Sequence, residues 1–278
     1  MNDSNVSRRK FFMHSAHKTV GVSAGFAALR CGDLAEFAVA AGTAPQEWSA
    51  ARPLRVCLVS GCPLYQSEES LAALEEYLQK HLKVKCSRAF SKQEDDLPGL
   101  ENLEKSDCML LFARRMTIDG EQLERIQRYC RRGFGVVGVR TASHAFQNWL
   151  EMDKEVFGGD YQGHFGNKLT EVSIVEAAKD HPILNGVQPF GSRSTLYKNP
   201  NIAPDATVLM SGTFPGQTYP VAWVRPGTDA KRPSPTRSVG RGGRVFYTSL
   251  GHPADFRDPN FLRLLSNAVS WTCAEQHE

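Results

Sequence analysis

Leu54-Arg-Val-Cys-Leu-Val-Ser-Gly61 is a nearly continuous apolar run closed by a glycine. A strand buried on both faces reads this way, and such strands belong to parallel sheets. A helical pattern follows at once. Over Glu68 to Leu82 the apolar residues Leu71, Leu74, Tyr77, Leu78 and Leu82 recur at helical spacing, with acidic residues early and Lys80 late, the order a helix macrodipole favours. Further strands are expected at Val84 to Ala89, Cys108 to Ala113 and Gly135 to Val139, with a helix from Asp119 to Gly133 between the last two. Strands alternating with helices predict an α/β fold with a doubly wound, mostly parallel sheet.

The pattern changes after Trp149. Short strand-like runs at Leu169 to Val175, Thr207 to Ser211, Val221 to Val224 and Val245 to Ser249 are separated by Pro/Gly-rich loops without evident helices. They predict an antiparallel C-terminal extension. A closing helix is expected over Asn260 to Cys273, with Phe261, Leu264, Leu265, Ala268, Val269 and Trp271 on its core face.

Before Leu54 the chain reads differently. Ser7-Arg-Arg-Lys-Phe-Phe12 fits a twin-arginine export signal, and Ala38-Val-Ala40 offers the small residues a signal peptidase needs. Residues 1–40 are therefore expected to be a Tat signal peptide, 41–53 a linker and 54–274 the folded domain. The localisation implied is periplasmic or secreted, with no stable membrane anchor after cleavage. The signal carries more basic than acidic residues, so its loss takes the formal charge of +3 close to neutrality. Composition then gives no argument for a nucleic-acid partner. Charge that remains clustered lies in Arg225 to Arg244 and reads as a solvated loop. Cys57, Cys62, Cys86, Cys108, Cys130 and Cys273 are expected to be mostly free and buried, because a Tat substrate folds in a reducing compartment before export.

Ligands of open α/β sheets bind beyond the carboxyl ends of the strands, and two stretches place ionisable groups there. Gly135-Val-Val-Gly-Val-Arg-Thr-Ala-Ser-His-Ala-Phe146 runs from a strand into a tight turn and the expected start of a helix. Arg244-Val-Phe-Tyr-Thr-Ser-Leu-Gly-His-Pro-Ala-Asp-Phe256 runs from a strand into a glycine turn that presents His252 and Asp255. Together with Gly158-Gly-Asp-Tyr-Gln-Gly-His-Phe165, these stretches resemble the ThuA-like, or trehalose-utilisation, family. That resemblance spans most of residues 54–273 and implies a fold similar to class I glutamine amidotransferases, with a flavodoxin-like core.

Those enzymes carry a nucleophilic cysteine in the turn that Gly138 to Ala142 occupies here. Arg140 stands in its place, and a guanidinium is no nucleophile, so glutamine hydrolysis is disfavoured. Ser143 is not in a Gly-x-Ser-x-Gly elbow and reads as the cap of the following helix. The candidate catalytic residues are His252, His144, His164 and Asp255, with Arg140, Asp160, Tyr161 and Trp223 as substrate-binding groups. Histidine suits proton transfer near neutral pH, arginine suits an oxygen, and a carboxylate can orient an imidazole. His181, before Pro182, reads as part of a structural turn. The scattered His and Asp positions lack the local spacing of a zinc site, and neither a metal nor an organic cofactor is expected.

The resemblance implies a carbohydrate ligand, trehalose or a related disaccharide or keto-sugar, and a sugar oxidoreductase as pathway partner. The residues leave open a hydrolase, lyase or isomerase working by acid/base chemistry. They leave open equally a non-catalytic sugar-binding module, or an interaction protein using the basic loop.

Overall fold

The computed structural model describes residues 52–166, 169–226 and 243–274. The expected Tat signal and most of the basic loop lie outside the described residues. The first half alternates as expected: β1 (Leu54–Gly61), α1 (Ser67–His81), β2 (Val84–Phe90), β3 (Cys108–Ala113), α2 (Gly120–Arg131) and β4 (Gly135–Val139). Then come β5 (Thr170–Ile174), β6 (Phe190–Ser192), β7 (Thr207–Phe214), β8 (Gln217–Arg225), β9 (Val245–Thr248) and α3 (Pro259–Cys273).

Among the described residues the nine strands form one sheet in the order β2-β1-β3-β4-β9-β8-β7-β5-β6. The pairs β2/β1, β1/β3, β3/β4 and β4/β9 are parallel, and the remaining pairs are antiparallel. The apolar runs of β3 and β4 are buried throughout, because helices cover both faces. Leu71, Leu74 and Leu78 of α1 pack with Phe261, Leu264 and Leu265 of α3 on one side. Ile126 and Tyr129 of α2, with Leu100 and Leu103, cover the other. α3 starts cleanly because Asp258 accepts the N–H of Asn260 at 2.7 Å and Pro259 occupies the first turn.

Three sequence expectations are corrected. Val245–Thr248 is not only part of the antiparallel extension: β9 pairs in parallel with β4 on one side and antiparallel with β8 on the other. It is thus the junction between the two halves of the sheet. Asp119 occupies the N-cap position of α2, but its side chain closes no cap hydrogen bond. Ser143 caps no α-helix, since residues 140–144 form a single 3₁₀ turn. The chain beyond that turn is drawn alongside the exit of β3, with Arg115 N–H donating to His144 O (2.9 Å), Met116 N–H to Ala145 O (2.7 Å) and Gln147 N–H to Met116 O (2.8 Å). These bonds occupy the backbone groups an immediate helix would need. The cysteines at 57, 62, 86, 108, 130 and 273 are all free.

Candidate functional site

β4 delivers Arg140 into a left-handed conformation, φ +50°, which costs a non-glycine residue of order 1–3 kcal/mol and persists only where surroundings fix it. The surroundings here are extensive. The wholly buried guanidinium donates to Ser249 O (2.6 Å), Thr195 O (3.3 Å), Thr195 Oγ1 (2.8 Å) and Tyr65 Oη (3.1 Å). It also lies 4.6 Å from the ring centres of both Tyr65 and Tyr197, within cation–π range. The Tyr247 hydroxyl holds the Arg140 carbonyl at 2.6 Å. Arg140 is therefore a clamp joining the exits of β1, β4 and β9 to the 195–197 segment, with only Nε lacking a partner among the described residues. As an expected oxygen-binding group it has no surface left to offer solvent.

β9 exits through Ser249, Leu250 and Gly251, whose φ of +133° suits glycine. Asp255, almost fully buried, accepts from Ser192 Oγ (2.7 Å), Ser194 Oγ (2.8 Å), the N–H groups of Gly251 and His252 (3.0 Å each) and Arg193 N–H (3.3 Å). The carboxylate fastens the His252 backbone, where orientation of the imidazole had been expected. The ring is fixed differently: its Nδ1 accepts the N–H of Ala254 at 3.1 Å, so the neutral ring carries its proton on Nε2. Burial lowers the imidazole pKa, Asp255 opposes this, and Arg140 and Arg193 lower it further. His252 lines a cleft of about 360 Å³ with Leu64, Tyr65, Gln66 and Arg257.

A second group lies on the far side of the Arg140 clamp. His144 stacks on Tyr161 with ring centres 4.6 Å apart, and Tyr161 in turn meets Tyr197 at 4.5 Å. His144 Nδ1 is 3.0 Å from Ser143 Oγ. Burial first, then the charges of Arg114, Arg115, Arg140 and His164, lower its pKa to about 4, so this imidazole is neutral at physiological pH. His164 is exposed, bonded through Nδ1 to Phe165 O at 2.7 Å, with its ring 6.4 Å from Tyr197. Asp160 accepts from Gln162 and Asn201 at 2.8 and 2.9 Å. The structure thus gathers His144, Tyr161 and His164 around Tyr197, and His252 with Asp255 around Ser194. Arg140 acts electrostatically on both histidine groups.

Trp223, expected to bind substrate, is instead 0% exposed and donates its indole N–H to Phe157 O at 2.8 Å; it is core. His181 has the structural role expected of it, accepting the N–H of Ile183 at 3.2 Å. Sequence reasoning missed Tyr65, Tyr197 and Asp153. Tyr65 was findable, since it follows the end of β1 just as His252 follows β9. Tyr197 lies in an irregular segment with no periodic signal. Asp153 sits in a π-helical turn (Asp153–Phe157) and accepts Tyr161 N–H on Oδ2 at 2.9 Å, while its Oδ1 is buried without a partner. Burial raises its carboxyl pKa to about 6. Among the described residues no three His, Cys, Asp or Glu side chains cluster as a metal site.

Residues 55–272 match the family described as ThuA, trehalose utilisation. A ThuA-like protein from Parabacteroides merdae shares 17% identity at a TM-score of 0.62, with 80% of this chain and 91% of the other aligned. Another from Bacteroides uniformis shares 16% at a TM-score of 0.57, with 80% and 93% aligned. At these identities the likeness is one of fold. No curated protein matches the chain.

Proposed function

Since this chain belongs to the ThuA, or trehalose-utilisation, family, we propose that it handles a carbohydrate in the cleft between the exits of β1 and β9. One observation carries the reading: the cleft presents the aromatic Tyr65 beside a polar Gln66 and a His252 imidazole whose proton sits on Nε2. An apolar wall with a few fixed polar groups is how proteins hold sugars. Because Nδ1 is engaged by a backbone donor, His252 acts as a neutral hydrogen-bond donor through Nε2 toward a sugar oxygen.

The strand order β2-β1-β3-β4-β9, with helices on both faces, supports the finer description of a doubly wound, amidotransferase-like core. A cysteine does lie nearby. Cys62 follows β1, but it is wholly buried and burial raises its thiol pKa, which disfavours the thiolate a nucleophile requires. The same reading includes export through the Tat pathway and a sugar oxidoreductase in the same pathway. The free thiols suit a chain that folds before export.

A non-catalytic sugar-binding module is the rival, favoured by the fact that Asp255 does not touch the His252 ring. Incubating the protein with disaccharides and their keto derivatives, and following consumption by mass spectrometry, separates the two. Catalysis predicts conversion that falls roughly 10²–10⁴-fold in His252→Ala while binding persists. Unchanged turnover in that variant removes the assignment. Absence of conversion across the panel favours the binding module.

A further inference from the structure

Of the six free cysteines among the described residues, Cys57 and Cys130 pack on the α2 face of the sheet, and Cys62, Cys86, Cys108 and Cys273 on the α1/α3 face. Only thiols on one face can meet, and the strand register decides between the four. Cys86 on β2 and Cys108 on β3 both pair with Val56 of β1, from opposite sides, so two strand spacings, about 10 Å, separate them. A disulfide needs Cα atoms within about 7 Å of one another. Cys62 lies past the carboxyl end of β1, whereas Cys108 opens β3 at its amino end. Neither Cys62 nor Cys86 can reach Cys108.

Cys273 can. The last turn of α3 comes down over the start of β3, where Thr272 Oγ1 is 3.6 Å from the Cys108 sulfur. The next residue, Cys273, shares a side-chain hydrogen bond with the Cys108 thiol, which ahead of burial raises the Cys108 pKa. Access differs between the two: Cys108 is 0% exposed, while Cys273 is half-buried. α3 also ends at Cys273, with Ala274 already extended, so no further helical turn opposes a small adjustment there. A buried thiol among apolar neighbours is ordinary packing; two thiols that meet, one of them open to solvent, can do redox chemistry.

We propose that Cys108 and Cys273 are a dithiol site that closes to a disulfide when it meets an oxidant of the disulfide class, such as oxidised glutathione. The inference is independent of the carbohydrate reading. Cys273, as thiolate, attacks one sulfur of the oxidant, breaking its S–S bond and releasing one glutathione thiolate. Cys108, as thiolate, then attacks Cys273 Sγ and expels the second glutathione. Two protons leave the protein, its two thiols are oxidised and one glutathione disulfide is reduced. The new bond ties the end of α3 to β3 and closes the long loop from Cys108 to Cys273, which restricts the unfolded chain. The cleft, at the opposite edge of the sheet, is left as it is.

The test uses the full chain, incubated while folded with excess oxidised glutathione at mildly alkaline pH, then alkylated in denaturant, digested with trypsin and mapped without reduction. Cleavage after Lys105, Arg114 and Arg263 should yield residues 106–114 joined to residues 264–278. The melting temperature should rise by about 5 °C or more, and dithiothreitol should reverse both changes. Cys273→Ser, at the half-buried end of a helix, should melt like the reduced parent and gain nothing from the oxidant. Oxidised protein in which both cysteines remain alkylatable overturns the inference. So does glutathione retained on Cys273 with Cys108 free, or a link from Cys108 to any other cysteine. A link between the two that appears only when the oxidant is added after denaturation overturns it as well.

Discussion

Asp153 is a buried carboxyl with one oxygen on Tyr161 N–H and the other unpartnered, its pKa raised to about 6 from an ordinary 3.8. A raised folded-state value means the folded protein binds the proton more tightly than the unfolded chain. The resulting stability is fully present below about pH 4 and is lost as pH rises through 6. Two pH units correspond to at most about 3 kcal/mol. Asp153→Asn keeps an acceptor for Tyr161 and removes the titration. Its stability relative to the parent should therefore improve by up to that amount between pH 4 and 7, as read by urea unfolding at each pH. A difference that stays constant across the range would remove Asp153 as the source. Taking the difference cancels His144, whose lowered pKa works in the opposite sense at acid pH. Single residues were legible only in part. His252 and His144 follow strands, and strand ends place them. Arg140 was located correctly, but its burial between Tyr65 and Tyr197 depends on a segment 55 residues away in sequence, which no local pattern encodes.

β1, β3, α1 and α3 were readable because their apolar spacing states both the element and its buried face. β9 was readable as a strand but not in orientation, since the four residues Val-Phe-Tyr-Thr carry no record of which neighbour runs parallel. The helix expected after Ser143 was lost to pairing with residues 115–116, a long-range competitor that local propensity does not register. Trp223 misled for a related reason, because a tryptophan on a strand reads alike whether it meets a ligand or the opposing Tyr247, here 4.6 Å away. The strand that feeds the elbow is tightly seated. A Cβ on Gly138 would lie 2.4 Å from Phe157 and 2.9 Å from Tyr247, both buried rings. Gly138→Ala should cost about 1–3 kcal/mol through overpacking and lower the midpoint of denaturant unfolding. An unchanged midpoint would mean that the Phe157 ring yields freely.

Across the whole molecule the sheet divides its work. Its parallel half brings the exits of β1, β3, β4 and β9 to one edge, and the antiparallel half begins at β8, beside β9. The loops at residues 158–165 and 193–199 bring Tyr161, His164 and Tyr197 over that edge. No local motif announces Tyr197 there, which is why the histidines and Tyr161 could be named from sequence while Tyr197 could not. The claim that this edge is the carbohydrate site is tested most directly by following imidazole NMR signals as trehalose or its keto derivative is added. His252 in the cleft and His144 behind it should shift on binding. His181, which caps the turn at Pro182 and packs 5.2 Å from Trp271, should stay still. Binding that moves His181 and leaves His252 and His144 unmoved would contradict the account.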